Sequence, residues 1–140
     1  MRLFVSIVLS VLTTSLYAQN DNKCDDAILL STSERIGRLA EKEIADFLLT
    51  FGEKCRDNAE FSEWSNELLF MVLDKQTELT LKVIQEEKRI EKAVILDDLS
   101  EPINDSIDLK ALINKVNKVK VDDNLKAEII KSLKTADARN

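Results

Sequence analysis

Two cysteines, twenty-six carboxylates and no histidine make up the reactive inventory of this 140-residue chain. Without an imidazole there is no Ser-His-Asp or Cys-His nucleophile, no HExxH zinc site and no Glu-x-x-His di-iron ligand set. The usual side chain for sensing pH between about 5 and 8 is missing as well. Gly37 and Gly52 stand isolated, so a glycine-rich phosphate loop cannot form. Asp21, Asp25 and Asp26 cluster, but the spaced ligands, central glycine and terminal glutamate of an EF-hand are not around them. What remains is carboxylate chemistry of the glycosidase kind, in which a protonated acid faces an ionised partner across a sugar cleft. In so acidic a chain a neighbouring pair such as Asp97-Asp98 carries no signal by itself. Trp64 stands among apolar residues at core spacing and reads as core rather than as a sugar platform. No catalytic, cofactor or metal residue is therefore assigned.

The cysteines are more telling. Cys24 and Cys55 are an even pair, and in an oxidising compartment such a pair reads as a disulfide. Thirty residues separate them, far from the CxxC spacing of redox centres. A bridge needs Cα atoms within about 7 Å, whereas one straight helix over the intervening segment would hold them about 45 Å apart. The chain must turn between them. The expected places are residues 31–33 and the stretch after Gly52.

The compartment is read from the first residues. Arg2 precedes an apolar and hydroxyl stretch over residues 3–16, followed by Tyr17 and Ala18. This is the pattern of a cleaved secretory signal, residues 1–18, with the cut between Ala18 and Gln19. The stretch falls short of the roughly 20 apolar residues that span a bilayer, which argues against a retained anchor. Cys24 does not directly follow small residues, so a lipid anchor is not expected. The location implied is periplasmic or secreted, and residues 19–140 are expected to form a single helical domain.

From Gln19 onward the chain holds 19 basic and 26 acidic groups, a net charge of −7. Residues 19–99 carry −8 and residues 100–140 carry +1. An acidic body repels phosphate backbones and anionic bilayers, so neither nucleic acid nor a membrane surface is an expected partner. A basic partner would be drawn to it.

Two glycines and one proline leave few places for tight turns, and apolar residues recur every three or four positions. The fold class is all-α, a small bundle of four to five helices arranged as αα-hairpins. A short helical turn over 25–30, capped by Asp25 and Asp26, should precede a long helix over 34–51, opened by a Ser31–Glu34 capping box and closed at Gly52. A second helix over 58–73 contains the run Leu68-Leu69-Phe70-Met71-Val72-Leu73, apolar nearly all round and placed at the centre of the core. Thr77 should cap a third helix from 78 to 96 or 99, broken in the middle of its apolar stripe by residues 85–89. Pro102 marks a short linker around 99–105. Two further helices follow over 106–119 and 123–133, the latter opened by Asp122-Asp123, and residues 135–140 should fray. Asn104-Asp105-Ser106 in the linker is a formal N-glycosylation triplet.

Export, a helical body and missing catalytic groups point to a non-enzymatic module that binds another protein. Its expected surface is the acidic helix faces around Glu41, Glu60, Glu63 and Glu67, or the charged turn over 86–92. The alternatives are a small carboxylate-dependent hydrolase and a carrier enclosing an apolar ligand beside residues 68–73.

Overall fold

Residues 24–139 are described in the computed structural model of the chain. The expected signal segment, residues 1–18, the expected Ala18–Gln19 cut and Asp21 lie outside them. Among the described residues there are eight helices and no strand, so the class is all-α with more and shorter helices than the four to five expected. They are α1 (Asp26–Arg35), α2 (Glu41–Leu48), α3 (Glu53–Arg56), α4 (Ala59–Lys75), α5 (Thr77–Glu86), α6 (Lys92–Ser100), α7 (Leu109–Lys118) and α8 (Asp123–Asp137).

The expected helix over 34–51 is not one element. Helix α1 runs straight through residues 31–33, where a turn was expected. The hydroxyls of Ser31, Thr32 and Ser33 donate back to the carbonyls of Ile28 and Leu30 and leave the helix intact. Its cap is Asp25, one of the two aspartates expected there, whose carboxylate accepts from the Ala27 N–H at 2.9 Å. The helix stops at Gly37, whose φ of +82° is left-handed backbone that favours glycine. Helix α2 then restarts with the Glu43 carboxylate accepting from the Ala40 N–H at 2.7 Å. It ends at Leu48, before Gly52. Folding back at these two places brings the Cys24 and Cys55 Cα atoms to 5.4 Å and their sulfurs to disulfide distance, 2.04 Å. Closing a loop of this length stabilises a fold by about 3–4 kcal/mol on the chain-entropy account.

The expected helix over 78–99 is likewise two elements. Helix α5 ends at Glu86, and residues 87–91 leave helical geometry with neither glycine nor proline among them. The Glu87 carboxylate takes the Arg89 backbone N–H at 3.0 Å, which satisfies that freed donor, and the Arg89 guanidinium at 2.9 and 2.6 Å. This break lets α6 turn away and pack on α8. The α4–α5 corner is held by the Gln76 amide, which accepts from the Leu39 N–H at 2.9 Å and donates to the Leu39 carbonyl at 2.8 Å. Thr77 is the first residue of α5, and no side chain caps that helix. At the other end α8 continues past Leu133 to Asp137 and buries Ala136, so the tail is ordered further than expected.

Helix α4 is the hub, packing on α1, α3, α5, α6 and α7, while α8 covers α6 and α7. Its start is capped by Asn58, which accepts from the Phe61 N–H at 3.2 Å. Phe61, Leu68, Leu69, Phe70, Val72 and Leu73 are buried and join Phe47, Ile84, Ile95, Leu99, Ile129 and Leu133 in one cluster. Each such side chain contributes about 1.5–3 kcal/mol by leaving water. With that inward face committed, what α4 presents outward is fixed by the helical period.

Candidate interaction surface

Glu60, Glu63, Glu67 and Met71 follow one another at three- and four-residue steps on α4, and all four are exposed. They form a single outward ridge. None of the three glutamates joins an ion pair among the described residues. Like charges at this spacing repel, costing a helix about 0.2–0.5 kcal/mol per pair. Trp64, on the edge of the ridge, is half-buried against the core. Met71 ends the ridge with 48% of its surface exposed, large for an apolar side chain.

The segment between α6 and α7 is laid along the flank of α4 and adds apolar surface beside the acids. Asn66, only 2% exposed, pins it there. The Asn66 amide donates to the carbonyls of Asp98 at 3.1 Å and Glu101 at 3.3 Å, and accepts from the Ile103 N–H at 3.1 Å. A buried amide so engaged is costly to remove. Ile103 is thereby held out with 48% exposure. Further along, Ile107 meets Phe70 and Met71 in a groove of about 220 Å³ whose rim carries Asp74, Lys75 and Asp108. Asp74 is bound by Lys115 and, at 3.2 Å, by Lys75. The Lys115 hydrogen bond holds its carboxyl below the ordinary value, and Lys75 adds to the effect.

The other expected surface has a different constitution. Glu41 pairs with Lys82 at 2.9 Å, Lys82 also reaches Glu86 at 4.0 Å, Lys42 pairs with Asp46, and Glu87 with Arg89. These residues border an open groove of about 580 Å³ between α2 and α5, floored by Ala45 and Val83. Glu41 raises the Lys82 ammonium, and the Arg89 hydrogen bonds lower Glu87 to about 2. Each acid here already has its cation.

Asp25 caps α1. Asp97 lies 3.6 Å from Arg56, and Asp98 accepts from the Asn66 amide at 3.3 Å. Burial pushes the Asp98 carboxyl above its ordinary value, against the lowering pull of Asn66 and Arg56. The crevice beside it, lined by Thr50, Cys55, Arg56 and Ser65, measures about 10 Å³. That is the volume for about one water. Of residues 68–73, all but Met71 are packed into the core. Asn104 is exposed, its side-chain oxygen accepting from the Ser106 N–H and hydroxyl at 2.9 and 2.6 Å.

Sequence reasoning named the three ridge glutamates but missed Met71, Ile103, Ile107 and the Asn66 anchor. Met71 was readable, since it continues the glutamate ridge by one more turn. The others depend on where the segment after α6 runs, which no local pattern reveals. No family model matches the chain, and no curated protein or solved structure matches it either.

Proposed function

We propose that this chain is an exported, non-enzymatic helical protein that binds a basic segment of another protein across the outward face of α4. The observation that carries the reading is the ridge itself, with Glu60, Glu63 and Glu67 unpaired among the described residues, beside exposed Met71 and Ile103. A partner offering Lys or Arg around an apolar centre would relieve the repulsion along the ridge and cover the apolar groups together. The leading segment, Arg2 followed by the apolar stretch to Leu16, supports export and removal up to Ala18.

The test is capture from the exported fraction by the immobilised oxidised chain, beside its E63K/E67K variant. The expected result is a partner released by salt and held about tenfold less tightly by the variant, equivalent to about 1.4 kcal/mol. A partner retained equally by both proteins, or no salt-sensitive partner, contradicts the reading. Amino-terminal sequencing of the native protein should begin at Gln19.

A further inference from the structure

Resting on that reading of α4, we infer that a second copy of this chain is a partner, and that it docks through the outward face of its α8. The face is formed by Ala127, Ile130, Lys131, Lys134 and Ala138. It is the inverse of the α4 ridge. Lys131 and Lys134 make no ion pair among the described residues, as Glu63 and Glu67 make none. Each pair spans about one helical turn, so two like-charged groups on one helix can meet two opposite charges on the other. Ala127 and Ala138 are small and exposed, which lets another helix approach closely, and Ile130 is half-buried at the side of the stripe. On the α4 side, Met71 supplies the protruding apolar group. The charges are not all of one sign, since Glu128 sits at the edge of the α8 face, Arg139 pairs with Glu101, and Lys75 borders the α4 groove. The unpaired groups at the two centres are nevertheless of opposite sign.

The two faces cannot satisfy each other within one molecule. Helices α4 and α8 both pack on α6 and α7, and no ion pair among the described residues joins the α4 ridge to α8. The outward face of α8 is turned away from those two helices, because Leu125, Ile129, Leu133 and Ala136 are what it buries. A contact between unlike faces is heterologous, so each copy keeps one free face and assembly continues as a row or closes as a ring.

Sedimentation of the oxidised chain over a concentration series tests this, with two variants at exposed positions, E63K/E67K and K131E/K134E. The wild type should grow past the mass of two copies as concentration rises, and shrink as salt is added. Each variant alone should remain monomeric. Mixed in equal amounts, the two variants should assemble again, because both kinds of contact then pair opposite charges. A wild type that stays monomeric overturns the proposal, as does association that either variant leaves unchanged, or a mixture that does not recover. A monomeric wild type whose E63K/E67K variant still loses another exported partner would end self-docking and leave the binding role of α4 standing.

Discussion

The groove between α2 and α5 and the outward face of α4 are made of the same residue types, and they differ in where their cations lie. In the groove, Glu41 has Lys82 from forty-one positions away, and Glu87 has Arg89 beside it. On α4, Glu60, Glu63 and Glu67 have no such neighbour among the described residues. A count of charges treats the two alike. An incoming basic group, however, must displace a cation in the first and meets a free carboxylate in the second. Exposed apolar groups reinforce the difference, since Met71 and Ile103 flank the unpaired acids.

The harshest way to break the comparison is through the inward side of α4. Leu69→Ala, at a site with no exposure, should cost about 2–5 kcal/mol in urea unfolding. Met71→Ala, two positions on and half-exposed, should cost less than about 1 kcal/mol while weakening binding. Equal losses of stability would mean that Met71 is not an outward group. Next in size is Asn66→Ala, which strands the Ile103 N–H and should cost about 1–3 kcal/mol. It should also weaken partner binding, because it frees the segment carrying Ile103; unchanged affinity would remove that segment from the surface.

A smaller effect separates two acids near these surfaces by pH. Asp98 has a raised folded pKa, so its contribution is greatest below the ordinary carboxylate value and is lost as pH rises through the folded value. Asp98→Asn should therefore melt at or above the wild type at neutral pH and converge with it in acid. Asp74 is lowered, so its contribution is present above the ordinary value and disappears as pH falls through the folded one. Asp74→Asn should melt below the wild type at neutral pH only. Melting curves of both variants across pH check the two signs. Least of all, Glu41→Gln opens an exposed ion pair, and should change stability by no more than about 1 kcal/mol. Partner affinity should not move; a fall there would transfer the binding role to the paired groove.

How far these features were legible in the residues varies along the chain. Helix α4 was, because Asn58 caps it and its apolar residues keep the helical period. So was the opening of α8 at Asp122, whose carboxylate accepts from the Leu125 N–H at 3.0 Å. Gly37 is visible in the sequence, but the apolar period runs through it as if it were inside a helix, where it would cost about 1 kcal/mol relative to alanine. Its left-handed φ reveals the opposite role, that of a terminator. The break at residues 87–91 had no such marker. It rests on tertiary needs, with Ile90 turned inward and the Gln85 amide oxygen accepting from the Asp122 N–H at 2.8 Å. The contrast between the two surfaces was hidden for the same reason. The Glu41–Lys82 pair exists only once α2 and α5 are packed together.

Carbodiimide labelling of the oxidised chain, alone and saturated with its captured partner, addresses the α4 surface most directly. Glu60, Glu63 and Glu67 should be labelled when the protein is alone and dilute enough to be monomeric, and protected in the complex, with Glu41, Glu86 and Glu87 labelled equally in both states. Protection that falls on the α2–α5 groove, or on neither surface, would contradict a binding role for the outward face of α4.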